Sequence, residues 1–130
     1  MVSLGHSQSI KTDTLRAAKQ KVMCDSLFDS GNYPEAAASM QKNMDIYQKY
    51  NLKDKYIYAE FFLIECSIRQ GNFDDAVESL KKIKEKIDAD NRLKKILSMH
   101  FYNAEGQVFL NKGRVDLALE SFQKAMDNIF

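Results

Sequence analysis

Gly31-Asn32-Tyr33-Pro34-Glu35-Ala36-Ala37, Gly71-Asn72-Phe73-Asp74-Asp75-Ala76-Val77 and Gly113-Arg114-Val115-Asp116-Leu117-Ala118-Leu119 are three versions of one heptapeptide. Their glycines are separated by 40 residues from 31 to 71 and by 42 from 71 to 113, a spacing that signals a repeat architecture. Each position in the frame has a physical task. The glycine supplies the left-handed residue that ends a helix without a Cβ penalty. The aromatic residue or Val two places on plugs the corner, and the Ala five places on lets the second helix of a hairpin approach the first. Met40, Leu80 and Phe122, nine places past each glycine, lock the pair further along.

The residues on either side of each turn have helical spacing. Leu15, Ala18, Val22, Met23 and Leu27 form one stripe, Ala36, Met40, Met44 and Tyr47 another, and Phe73, Ala76, Val77, Leu80, Ile83 and Ile87 a third, all at the spacing of a helix face. No stretch alternates with period two for long enough to make a strand. The pattern predicts six helices at about 13–30, 34–50, 54–70, 74–88, 92–112 and 115–129. Asn32 and Asn72 stand where an N-cap is wanted, and Pro34 sits in a first turn, where its missing N–H costs nothing. The remaining breaks, Asn51-Leu52-Lys53-Asp54 and Asp88-Ala89-Asp90-Asn91, are short and polar, so successive helices pack antiparallel as neighbours.

Composition narrows the class of function. With 130 residues, 45% of them hydrophobic, the chain can bury a core without a disulfide or metal staple. Nineteen Lys and Arg against 18 Asp and Glu leave a formal charge of +1, which gives no global field for nucleic acid or an anionic membrane. The longest apolar run, Phe61-Phe62-Leu63-Ile64, is far short of the ~20 residues a bilayer span needs. Cys24 and Cys66 fall in apolar helical stretches, where a thiol acts as a small hydrophobe.

The three-fold frame resembles the tetratricopeptide repeat family, whose turn reads Gly, polar, aromatic, acidic, acidic, Ala. The likeness covers about residues 13–130, as repeats at 13–50, 54–88 and 92–130 after a flexible leader at 1–12. The third repeat fits best, with Tyr102 in place of the family's Trp, Gly106 at the small crossing position, then Phe109, Ala118, Phe122 and Ala125. The first two depart from it. Gln20 and Glu60 replace the Trp, Cys24 and Ile64 the small Gly, and Ser67 the aromatic, while Gln48 and Asp88 stand where the family closes with Pro. The resemblance implies an all-α fold, a right-handed α-α superhelix of three antiparallel helix pairs. The period exceeds the family's usual 34 residues by six to eight, about two helical turns. Longer repeats of this kind occur in relatives serving as regulatory or scaffolding domains, which implies a protein- or peptide-binding scaffold, the repeat segment of a larger regulatory or sensor protein.

In such an array the first helix of each pair lines the concave side. Residues 56–68 are apolar almost all round, as suits a helix with neighbours on two sides. By the repeat frame the inward positions are Ala18, Lys21, Asp25 and Asp29, then Tyr58, Phe61, Glu65 and Arg69, then His100, Asn103, Gln107 and Asn111. This set joins apolar surface, both signs of charge and side-chain amides, chemistry suited to an extended or helical segment in a groove. The expected partner-binding residues are Lys21, Asp25, Tyr58, Phe61, Glu65, Arg69, His100, Asn103, Gln107 and Asn111. Chaperone-adaptor members of the family clamp a terminal carboxylate with Lys and Asn, then Asn, then Lys and Arg. Here only Lys21 matches, with Asp25, Phe62, His100 and Ala104 at the other positions, so binding of chaperone tails is disfavoured.

Two surfaces stand apart. Lys81, Lys82, Lys84, Lys86, Arg92, Lys94 and Lys95 form a basic stretch, read as a solvated convex face with pairs such as Lys81–Glu85. It lacks the interleaved aromatic residues that stack bases, so RNA binding there ranks last. On the last helix Val115, Ala118, Phe122 and Ala125 face their own hairpin, whereas Leu119, Met126 and Ile129 make a second apolar stripe. That stripe predicts cover by a further helix or a second copy, and a self-association module, such as a homodimer, is the alternative function. Phe130 ends the chain inside an amphipathic pattern, which reads as a fragment of a longer array.

No catalytic constellation is visible. His6 and His100 are isolated, and phosphate-cradling glycine loops, a Gly-x-Ser-x-Gly elbow and a Cys-x-x-Cys pair are missing from the sequence. The expectation is a non-enzyme that takes no cofactor, metal or small-molecule substrate and no membrane as partner. Free thiols and residues 1–10 without a signal-peptide pattern point to the cytoplasm.

Overall fold

Gly31, Gly71 and Gly113 all adopt positive φ, +83°, +79° and +78°, so the three turn glycines are the three left-handed residues that the repeat frame requires. Each closes a Schellman motif. Gly31 N–H donates to Phe28 O (3.0 Å) and Asn32 N–H to Leu27 O (2.8 Å). The same pair of bonds recurs as Gly71 to Ile68 with Asn72 to Ser67, and as Gly113 to Leu110 with Arg114 to Phe109. A fourth closure is built without glycine: Asn51 takes φ +56° and Leu52 N–H reaches Tyr47 O (2.8 Å).

In the computed structural model, which describes the backbone of residues 4–129 and the side chains of residues 8–129, these stops delimit six helices. They are α1 (Leu4–Asp29), α2 (Tyr33–Lys49), α3 (Lys53–Arg69), α4 (Phe73–Asp88), α5 (Asn91–Asn111) and α6 (Val115–Asp127). Among the described residues there is no strand. The fold is all-α and built from helical hairpins. α1 starts at Leu4, well before the expected start at 13, because nothing between Ser7 and Thr12 breaks a helix. Caps also differ from expectation. Asn32 and Asn72 occupy N-cap positions, but only their backbone carbonyls bond into the helix, to Ala36 and Ala76 N–H. The side-chain cap is instead Asp90, which accepts from Arg92 N–H (2.9 Å) and Leu93 N–H (3.2 Å).

The chain divides into two compact units at Cys66–Ser67, inside α3. In the first, α1 packs on α2 around Ala17, Cys24, Met40, Met44, Ile46, Tyr47 and Ala59, with Tyr50, Leu52, Tyr56, Phe62 and Leu63 half-buried against them. Phe28 closes the corner, its ring 5.1 Å from Tyr33 and 5.6 Å from Phe62. Asn43 is wholly buried, and its Nδ2 donates to Ala17 O (3.0 Å), pinning α2 to α1. Asp13 makes a second tie, accepting from Tyr50 Oη and lying within 3.3 Å of Lys49 Nζ and 2.7 Å of Arg16.

α1 corrects one expectation. Leu15, Val22 and Met23, placed on its core stripe by spacing, are exposed, and Ala18 with them. Ala17 and Cys24 form the buried line, flanked by half-buried Thr14, Leu27 and Phe28. The helix carries apolar residues on both sides, so spacing alone does not choose between them.

In the second unit α5 packs on both α4 and α6. Ala76, Leu80, Ile83 and Ile87 of α4, Leu93, Leu97, Phe101, Ala104 and Val108 of α5, and Ala118 and Ala125 of α6 are buried. At the α5–α6 crossing a Cβ added to Gly106 would lie 2.5 Å from Phe122 Cε1, so the ring occupies the space that a side chain at 106 would need. Ser121 Oγ donates to Glu105 Oε1 (2.9 Å) beside it.

Candidate functional site

The helices of the first unit leave a pocket of about 330 Å³ where α1, α2 and α3 converge. Thr14, Ala17, Ala18 and Lys21 line it from α1, Met40 and Tyr47 from α2, and Lys55, Tyr58 and Ala59 from α3. Its floor is apolar because Ala17, Ala18 and Ala59 keep their helices' surfaces low while Met40 and Tyr47 close the bottom. Two lysines stand at the lining, and they are not equivalent. Lys21 Nζ is 2.6 Å from Asp25 Oδ1 and sits 5.6 Å from the centre of the Phe62 ring, so its charge is largely answered. Lys55 is exposed on the opposite helix. Burial pushes the Tyr47 phenol above its ordinary range, so that wall stays neutral at physiological pH.

Of the expected groove residues, Lys21 and Tyr58 meet in this pocket. Asp25 is beside it as the partner of Lys21. Glu65 is half-buried two turns along α3. Phe61 is a correction: it is only 9% exposed and does not line the pocket, because on a helix apolar almost all round the repeat frame alone does not choose which aromatic is packed and which is presented. Arg69, on the last turn of α3, is exposed and belongs to the second unit. There His100, Asn103, Gln107 and Asn111 follow at the spacing of one face of α5, His100, Asn103 and Asn111 exposed and Gln107 half-buried. Asn111 Nδ2 donates to Gln107 O (2.7 Å), which engages that amide with its own helix.

Thr14, Lys55, Met40 and Tyr47 were not among the residues expected to line a groove. Thr14 and Lys55 lie one turn further from their turn glycines than Ala18 and Tyr58 do. The signal for them is the long period, because extra turns per repeat extend the inward face beyond the positions that the shorter family frame supplies.

The remaining chemistry is quiet. Cys24 and Cys66 are buried free thiols. Burial raises both, Cys66 to about 11 with the neighbouring Cys24 adding to it, so neither is a reactive thiolate at neutral pH. Among the described residues no group of three or more His, Cys, Asp and Glu could hold a metal ion. No helix among them is long and apolar enough to cross a membrane. In the basic stretch Lys84 pairs with Asp88 (3.2 Å) and lies over the Phe101 ring.

No family model, curated protein or solved structure matches the chain.

Proposed function

We propose that the chain is a peptide-binding helical-repeat scaffold of the tetratricopeptide type, its three hairpins stacked as a right-handed superhelix and its task regulatory rather than catalytic. The pocket between α1, α2 and α3 carries this reading. An apolar hollow of about 330 Å³ takes one large side chain, and a cation at its border selects an acidic neighbour on the same segment. The ligand class is therefore a segment in which Leu, Met or Phe stands next to Asp or Glu. Tyr58, 44% exposed, offers a ring to pack on the backbone. With Lys21 held by Asp25, Lys55 carries the charge recognition. The repeat frame and the three glycine closures support the superhelix.

The test is selection of peptides from a random library on the intact protein, followed by fluorescence polarisation of the winners. Enrichment of an acidic residue adjoining a large apolar one is expected, with affinity falling tenfold or more, about 1.4 kcal/mol, in Tyr58→Ala and Lys55→Glu. Lys94→Glu on α5 should leave binding unchanged. Glu65→Lys combined with Arg69→Glu reports whether the site continues along α3. Winners indifferent to Tyr58 and Lys55 would sink the assignment.

A further inference from the structure

The terminal helices each carry an uncovered apolar stripe, and their borders carry opposite charge. On α1, Leu15, Val22 and Met23 are exposed, Val22 by 70%. On α6, Val115, Leu119, Met126 and Ile129 are exposed, Leu119 by 64%. Large apolar side chains at helical spacing on one face favour a helix partner. Around the α1 stripe the exposed ions are Lys11, Arg16 and Lys19, with the Lys21–Asp25 pair beside Val22 and Asp29 at its far end. Arg16 is held by Asp13, leaving Lys11 and Lys19 as the outward cations. Around the α6 stripe stand Asp116, Glu120 and Asp127. The cations near them are Lys124, 3.6 Å from Glu120, and Arg114, 3.8 Å from Asp116.

We infer that the chain self-associates head to tail, the basic-bordered α1 face of one copy seating on the acidic-bordered α6 face of the next. The charge pattern selects this pairing over its rivals. Two α6 faces together would oppose borders that are each net acidic, Asp116, Glu120 and Asp127 against Arg114 and Lys124, and two α1 faces would oppose Lys11 and Lys19 with their equivalents, arrangements that like-charge repulsion penalises. A head-to-tail contact leaves one face of each kind free after the first addition, so further copies add until the assembly closes into a ring or continues as a filament. The pocket meets the edge of this face at Ala18, and the rest of its lining lies at other positions of α1 and on α2 and α3.

Sedimentation velocity across a concentration series at low salt tests this. The intact chain should pass from monomer through dimer to larger species, and the series should shift to higher concentration when salt is raised. Leu15→Glu with Val22→Glu should be monomeric, as should Leu119→Glu with Met126→Glu, both keeping wild-type circular dichroism. Mixing the two should give a complex that stops at one copy of each, because every variant retains one working face. A second arm uses charge alone: Lys11→Glu with Lys19→Glu should weaken association at least tenfold, and a partner carrying Asp116→Lys with Glu120→Lys should restore it. That arm touches only exposed side chains, so it stands if an apolar variant misfolds. An intact chain that remains monomeric at every concentration, an α1 double variant that still dimerises, or charge reversal without rescue would each overturn the inference.

Discussion

Asp13 shows how much a single side chain does for the first hairpin. Tyr50, by its phenolic hydrogen bond, is the largest cause holding the Asp13 carboxyl below the ordinary value of 3.8, with Lys49 and Arg16 adding to it. The same bond raises the Tyr50 phenol, and Asp13 raises the Lys49 ammonium. The sign follows from linkage. A depressed folded-state pKa contributes stability that is complete above the unfolded value and is lost as pH falls through the folded one. Asp13→Asn should therefore unfold at lower temperature than the wild type at neutral pH. The gap should narrow below about pH 4 and close as pH falls through the folded-state value of Asp13. Thermal melts of the two proteins against pH cancel the other carboxylates, and a gap constant across that range would show that the ionised form of Asp13 contributes nothing.

Among elements, the α5–α6 crossing is the contact most sensitive to one atom. Two effects of Gly106→Ala oppose each other. Replacing a mid-helix glycine gains about 1 kcal/mol of helix propensity, whereas a methyl 2.5 Å from the Phe122 ring costs about 1–3 kcal/mol of overpacking. The clash wins while the ring is present, so the single variant should be less stable in urea. In a Phe122→Leu background the same change should become neutral or stabilising by up to about 1 kcal/mol, and the double-mutant cycle isolates the coupling. Additive effects would mean that the ring moves aside freely. This crossing was legible in the sequence, because Gly106 and Phe122 sit on the repeat frame. The helix stops were legible too, since a Schellman closure is local and glycine marks it. Asn51 was harder, as its φ of +56° is a strained choice for a residue with a Cβ. The buried face of α1 was not legible: Ala17 and Cys24 face α2 while larger Leu15 and Val22 face outward, and only the tertiary arrangement ranks those two sides. The Asp13–Tyr50 tie joins residues far apart in sequence, for which no local pattern exists.

At the scale of the whole chain, the division inside α3 predicts a pattern of unfolding. Ala59 belongs to the core of the first unit, yet the same helix carries on through Ile68 to the Gly71 turn of the second. On the proposed repeat reading, stability is close to a sum of unit terms and nearest-neighbour terms. Damage to one unit should then appear mainly there, partly in the shared helix and least in the other unit. Met40 and Ile83 are suitable probes, being 1% and 0% exposed and lying in different units. Truncation to Ala at either costs about 2–5 kcal/mol. Hydrogen exchange should show Met40→Ala lowering protection most in α1 and α2, Ile83→Ala most in α4 and α5, and α3 responding to both. Equal losses in all six helices for both variants would instead mean that the chain unfolds as one cooperative block, with nearest-neighbour terms exceeding the stability of either unit.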